Sequence, residues 1–386
     1  MSGKAFEYFM PPVSILGRDC LKEIPRYTKS MRFRKALIVS DKVLVDIGLI
    51  VSLTNVLKEA GIFYIIYDNV SPNPTVEQVD YGLRLFQDNG CDFLVSFGGG
   101  SPHDCAKGIA LLATNGGSIH DYVGLNQSKA PAAPLIAVNT TAGTGSELTR
   151  FCVITDEKQH KKMTITDWHV TPIVAVSDAC LMTAMPPGLT AATGLDALTH
   201  AVEAYVSTQA TPVTDCKALK AIELIAKHLP TAVVDGQDLD AREGMVYAEY
   251  LAGIAFNNAS LGYVHAAAHQ LGGRYGLPHG LANALMLPAV TDFNLVAIPK
   301  RYADIARAMG QSIAGLSTAD AARLAPAAMR SLIETLGTPQ HLRDVRGFNE
   351  EDIPLLAAGA LEDIIGATNL RRASQEEMEA IFRAVL

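Results

Sequence analysis

The chain has 386 residues, a formal net charge of −8, a hydrophobic share of 49% and a charged share of 19%. It is long enough for two domains with separate cores, lacks the composition of a disordered chain, and is too acidic to bind a nucleic-acid backbone. Neither a secretory leader nor an apolar run of bilayer-spanning length is apparent, so a cytoplasmic protein with no membrane or nucleic-acid partner is expected.

Up to about residue 180, apolar β-rich runs at 36–40, 62–68, 92–97, 134–140 and 173–178 alternate with amphipathic helical patterns such as 76–90. Strands separated by helices cannot pair as hairpins, which predicts a mainly parallel sheet with helices on its faces. Past Pro186-Pro187 the β-rich runs disappear and helical patterns continue to Leu386. The fold class expected is an α/β dinucleotide-binding domain over 1–185, followed by an all-helical, metal-binding domain over 186–386. Six scattered cysteines, Cys20, Cys91, Cys105, Cys152, Cys180 and Cys216, form no CxxC pair and are expected as buried, reduced thiols.

In the first half, the strand pattern FLVSF runs into Gly98-Gly99-Gly100, with a helix predicted from near Pro102, Ser101 as its N-cap and Asp104 in its first turn. Glycines there would let a diphosphate approach the positive end of the helix. The run is neither GxGxxG nor a Walker A loop, and by itself it fits a tight turn as well as a phosphate loop. A second loop, TTAGTGSELT, places Thr140, Thr141, Thr144, Ser146 and Thr149 after another strand, where hydroxyls either meet a ligand or cap a helix. Ligands of open α/β sheets lie beyond the carboxyl ends of the strands, so the two loops together suggest a dinucleotide. Asp41 ends the first strand pattern, where a carboxylate either accepts from ribose hydroxyls and disfavours NADP or serves a turn.

In the second half, Asp196, His200 and Glu203 stand at i, i+4 and i+7 on one face of a helix whose other faces are apolar. A buried carboxylate needs compensation, and a divalent metal would supply it. The stretch LGYVHAAAHQLGGRYGLPHG repeats the i, i+4 spacing with His265 and His269, and brings His279 to the start of the next helix. Asp196, His200, His265, His269 and His279 are too many ligands for one catalytic ion, which leaves one histidine outside the coordination sphere. The histidines at 103, 120, 160, 169, 228 and 341 show no such pattern and are taken as ordinary residues.

GGGSPHDCAK, TTAGTGSE, GLDALTHAVEAYVS, the FNN at 256–258 and HAAAHQLGGRYGLPHG, in that order, resemble the iron-containing (group III) alcohol dehydrogenase family, especially its NAD-linked methanol, 1,3-propanediol and short-chain alcohol members. The resemblance implies that Asp196, His200, His265 and His279 hold one divalent metal, Fe(II) before Zn(II) or Mg(II), and that His269 is a catalytic residue near the nicotinamide. It also implies NAD contacts at Asp41, Asn73, Gly100, Ser101, Thr140, Thr141, Thr149, Phe151, Lys162 and Leu181, beside Gly98 and Gly99 of the glycine run. The implied reaction is reversible oxidation of a small primary alcohol to an aldehyde, with His269 passing the released proton to solvent, in a homo-oligomer. At Asn369-Leu370-Arg371 the chain departs from an Asn-Pro-Arg common among the relatives, at the expected outer wall of the substrate pocket. Competing readings are a glycerol dehydrogenase or lyase of the dehydroquinate synthase-like superfamily and a non-catalytic metal- or nucleotide-binding assembly protein.

Overall fold

The computed structural model describes residues 5–159 and 161–386, so His160 and the first four residues lie outside the described part. The chain divides into two compact units, Met1–Ala184 and Met185–Leu386.

In the first unit, strands β1 (Val13–Gly17), β2 (Lys35–Val39), β3 (Phe63–Tyr67), β4 (Phe93–Gly98), β5 (Gly124–Leu125), β6 (Leu135–Asn139), β7 (Phe151–Asp156), β8 (Lys161–Thr166) and β9 (Val174–Asp178) alternate with helices α1 (Ile24–Ser30), α2 (Lys42–Asp46), α3 (Ile50–Glu59), α4 (Val76–Asp88) and α5 (Gly100–Asn115). Six strands form one sheet in the order β1-β9-β6-β4-β2-β3, with every neighbouring pair parallel. Both faces of this sheet are covered. Leu37 and Val39 of β2 enter one core with Leu94 and Ile109, while Ala36 and Ile38 enter the other with Val95 and Ile136. Burial on both faces explains why these strands read as unbroken apolar runs.

The five predicted strand runs are β2, β3, β4, β6 and β9. The βαβ reading passes over β1 and over a second sheet, β5-β8-β7, in which β7 and β8 pair antiparallel from Phe151↔Thr166 to Asp156↔Lys161. Helix α5 also starts earlier than predicted. Its N-cap is Gly99, not Ser101, and Ser101 Oγ instead accepts from the backbone N–H of Asn73 at 3.3 Å. Asp104 faces away from the helix start and accepts from Ser146 Oγ at 2.6 Å and Val153 N at 3.0 Å. Of the cysteines, Cys216 is exposed and Cys180 half-buried, whereas the other four are buried as expected.

The second unit consists of helices α6 (Pro187–Val206), α7 (Pro212–Val234), α8 (Leu239–Ala259), α9 (Tyr263–Tyr275), α10 (His279–Asn294), α11 (Pro299–Ala308), α12 (Thr318–Thr335), α13 (Ile353–Glu362) and α14 (Gln375–Arg383), and no strand lies among its described residues. Pro186 caps α6 and Pro187 is its first residue, where a missing N–H costs nothing. From Leu195 to Val206 every residue of α6 is buried, which makes it the central helix, packed by α7, α8 and α10. No helix of the described residues is long and apolar enough to cross a membrane.

Near the start of α5, His103 is fully buried, with Nδ1 2.7 Å from Ser96 Oγ. Burial, reinforced by the charge of Lys107, pushes the imidazole from its ordinary 6.5 down to about 3. The folded protein therefore keeps His103 neutral while the unfolded chain takes up a proton, so stability is full above pH 6.5 and is lost between pH 6.5 and 3. Relative to His103→Gln, the unfolding free energy of the unsubstituted protein should fall by about 1.4 kcal/mol per pH unit in that window. Chemical denaturation across the window checks this, and a difference independent of pH would contradict it.

Candidate active site

Parallel pairing places the carboxyl ends of β2, β3, β4, β6 and β9 at one end of the sheet. Asp41 follows β2, Asn73 follows β3, Gly98 to Ser101 end β4 and open α5, Thr140 and Thr141 follow β6, and Leu181 follows β9. The two loops beyond β4 and β6 are in contact. A Cβ on Gly99 would stand 3.0 Å from Thr141 Oγ1, and one on Gly100 would stand 3.2 Å from Thr144 Cγ2. The glycines thus make room for the threonine side chains of the second loop, and Thr140 N donates to Gly98 O at 3.0 Å.

Lys162 reaches this edge from β8. Its Nζ donates to Asn73 Oδ1 at 2.8 Å, and burial holds the ammonium below its ordinary range. Asn73 carries a positive φ of 58°, a conformation asparagine tolerates, and the turn that imposes it also presents its N–H to Ser101. Asp41 caps α2 by accepting from Leu44 N at 3.0 Å. Thr149 is buried, and its Oγ1 accepts from Lys107 Nζ at 3.2 Å. Lys107 also donates to the carbonyl oxygens of Ser146 and Phe151, both at 2.6 Å, so a fully buried ammonium ties the threonine loop to α5. A buried carboxylate secures the same loop, since Glu147 Oε1 accepts from Asn139 Nδ2 at 3.0 Å and Ser177 Oγ at 3.2 Å. Sequence reasoning missed the anchoring roles of Lys107 and Glu147, although a charged residue between apolar positions of α5 was a visible signal.

In the helical unit, Asp196 is the meeting point. Its Oδ1 lies 3.7 Å from His200 Nε2 on α6, 3.7 Å from His265 Nε2 on α9 and 3.6 Å from His279 Nε2 on α10. Ligand atoms of Asp196, His265 and His279 all fall within 4.8 Å of one another. Around a four-coordinate ion with bonds of about 2.0–2.2 Å, ligand atoms stand about 3.3–3.6 Å apart, close to the separations found. Asp196, His265 and His279 therefore fit a divalent transition metal in both spacing and donor type, and His200 Nε2 approaches the same carboxylate oxygen. Burial pushes the Asp196 carboxyl up, but the surrounding imidazoles outweigh it and hold the group far below the carboxylate range. Burial likewise pushes His265 down, and hydrogen bonds to Asp196 and Glu203 reverse this and raise it to about 9. The His265 Nε2 must give up its proton before a divalent cation can bind there.

Glu203, the third member of the polar stripe on α6, contacts His265 instead of joining the cluster around Asp196. Its Oε2 lies 2.6 Å from His265 Nδ1 and its Oε1 accepts from Val264 N at 2.7 Å, in the first turn of α9. Phe256 stacks on His200 with centroids 4.2 Å apart. His269 lies apart from Asp196 and is one-third exposed, with its Nδ1 2.7 Å from Asp363 Oδ2. Nothing in the spacing of α9 pointed to Asp363, which is 94 residues away.

Comparison with known proteins matches this architecture over its whole length. Residues 11–179 fit the model of the iron-containing alcohol dehydrogenases, and residues 190–386 fit that of the C-terminal region of the Fe-containing alcohol dehydrogenase family. The chain belongs to the iron-containing alcohol dehydrogenase family. It is 49% identical over 385 residues to a 1,3-propanediol dehydrogenase of Klebsiella pneumoniae, covering 99% of both chains. It is 46% identical over 379 residues to an NAD-dependent methanol dehydrogenase of Bacillus methanolicus, covering 98% of this chain and 99% of that one. A crystal structure of a 1,3-propanediol oxidoreductase superposes with a TM-score of 0.98 at 48% identity, over 99% of this chain and 100% of that chain. The protein is thus an enzyme, an alcohol dehydrogenase of the iron-containing family.

Around Leu370 the flanking residues hold the segment in place. Asn369 and Asn294 exchange carboxamide hydrogen bonds at 2.9 and 3.0 Å, and Arg371 donates to Phe293 O at 2.8 Å. Gly280, after His279, lies so close to α6 that a Cβ would stand 2.0 Å from the carbonyl oxygen of Ala192. That approach sets the depth of the His279 end of α10 against the helix bearing Asp196. Gly280→Ala should therefore cost about 1–3 kcal/mol of stability by overpacking, measured as a lower thermal midpoint of the isolated enzyme. An unchanged midpoint would contradict the close approach.

Proposed function

We propose that this enzyme reversibly oxidises short-chain primary alcohols, from methanol to butanol and 1,3-propanediol, to aldehydes with NAD and one divalent metal ion, Fe(II) before Zn(II) or Mg(II). The observation that carries the reading is the approach of three imidazole Nε2 atoms to one buried carboxylate oxygen at 3.6–3.7 Å. Asp196, His200, His265 and His279 would hold the ion. When bound, the ion supplies Lewis acidity that lowers the pKa of an alcohol hydroxyl, and NAD accepts the hydride.

The protein's own residues orient these groups. Glu203 accepts from Nδ1–H of His265, which leaves the Nε2 lone pair directed at the site. Asp363 does the same for His269, so that His269 Nε2 is the end able to take a proton from the substrate and release it to solvent. Gly98 to Ser101, with Thr140 and Thr141, would receive the diphosphate, and Asn73, Thr149, Phe151, Lys162 and Leu181 complete the cofactor site around them. Asp41 would bind the ribose hydroxyls and repel a 2′-phosphate. A cytoplasmic location and homo-oligomeric assembly belong to the same reading.

The lyase alternative needs cations for an acidic, phosphorylated substrate. Arg274, the cation on α9, is instead occupied by Asp352, with Nε and a terminal nitrogen at 2.6 and 2.5 Å, and Tyr275 donates to the same carboxylate.

His265→Ala and His279→Ala should lose bound metal, measured by elemental analysis after reconstitution. His269→Ala should retain it and lose about 10²–10⁴-fold in turnover, the range of general acid–base catalysis. Equal metal loss in all three variants would place His269 among the ligands. Asp41→Gly should raise kcat/KM for NADP by about tenfold, equivalent to about 1.4 kcal/mol. Unchanged NADP kinetics would remove Asp41 from the ribose site.

A further inference from the structure

Asn283 lies one turn after His279 on α10 and is fully buried. Its Nδ2 donates to Asp196 Oδ1 at 2.7 Å and lies 3.2 Å from His265 Nε2 and 3.3 Å from His279 Nε2. Its Oδ1 is buried and has no hydrogen-bond partner among the described residues. This combination is costly unless the amide end is needed, because a buried carbonyl oxygen without a donor forfeits the hydrogen bonds it makes with water in the unfolded chain.

Asp196 Oδ1 faces the NH2 end, which determines the orientation of the carboxamide, since turning it over would bring its oxygen against a carboxylate. The three contacts are unequal. The one to Asp196 is short, as expected for a donor to an ionised oxygen, while those to the imidazoles are long. An imidazole Nε2 has a single lone pair, and any ion would claim it. A carboxylate oxygen has a second lone pair and can serve an ion and an amide together.

We propose that Asn283 is a positioning residue of the metal site, holding Asp196 Oδ1 through its outer lone pair so that the inner one is aimed at the ion. The inference rests on the metal reading above and adds to it a residue that touches three of the four proposed ligands without being one. It also accounts for the unsatisfied Oδ1, because the helix position that supplies the donor offers nothing to the other end of the amide.

The test is metal affinity of the full-length enzyme, measured by chelator competition with Zn(II) and Co(II), together with the visible spectrum of the Co(II) form. Asn283→Ala should weaken binding by about 10–100-fold, as loss of a partner of a ligand does, and should change the Co(II) ligand-field bands. Asn283→Asp, which cannot donate when ionised, should weaken binding as well. Tighter binding by Asn283→Asp would make the residue an oxygen ligand and overturn the proposal, as would unaltered affinity and spectrum in Asn283→Ala. Thermal midpoints with excess chelator show whether each variant folds, and a variant that fails there is replaced by Asn283→Ser, for which the same loss of affinity is expected and wild-type affinity would overturn the proposal. His265→Ala serves as the control. If it too binds metal normally, the metal reading itself fails; if it loses metal while Asn283→Ala does not, only the role of Asn283 fails.

Discussion

A carboxylate as deeply buried as Asp196, only 3% exposed, costs several kcal/mol unless something answers its charge. Much of the helical unit follows from that requirement. Three histidines from α6, α9 and α10 converge on it, and each has its own restraint: Phe256 against the His200 ring, Glu203 at His265 Nδ1, and the close approach of Gly280 to α6 behind His279. These supports meet on α6, which is buried at every residue from Leu195 to Val206 and so gives the polar cluster a firm backing, as a site with fixed ligand geometry needs.

The nucleotide unit applies the same logic with the charges reversed in role. Lys107 and Glu147 are both fully buried, and neither is exposed to take part in binding a cofactor directly. Each spends its hydrogen bonds on backbone or side-chain partners of the threonine loop, which leaves the loop's small residues at the carboxyl ends of the strands. A loop held by buried hydrogen bonds can present backbone N–H groups to a phosphate with little loss of conformational freedom on binding.

The sequence was most informative where burial imposes a period. Strands covered on both faces read as apolar runs, and the i, i+4 pairs Asp196/His200 and His265/His269 each announced a shared helix face. Period alone could not say what a face meets. Glu203 sat in the same stripe as Asp196, yet it serves His265 from behind, and Asp363 pairs with His269 across 94 residues. The β7–β8 hairpin was passed over because its strands alternate buried and half-exposed positions amid threonines that also fit loop chemistry. The start of α5 was misplaced because Ser101 and Pro102 are good cap residues, whereas tertiary contacts with Asn73 and Thr144 favour a start at the glycines. Asn283, one turn past His279, could have been found by extending the helical face, but an asparagine among apolar residues carries no ligand signature of its own.

The central claim is that Asp196, His200, His265 and His279 form one coordination sphere while His269, held by Asp363, stays outside it. Anomalous diffraction at the metal edge from crystals of the Fe(II)- or Zn(II)-reconstituted enzyme tests it directly. One peak bonded to those four side chains, with the His269–Asp363 hydrogen bond intact, is the predicted result. A peak bonded to His269, or an ion lodged away from Asp196, would contradict it.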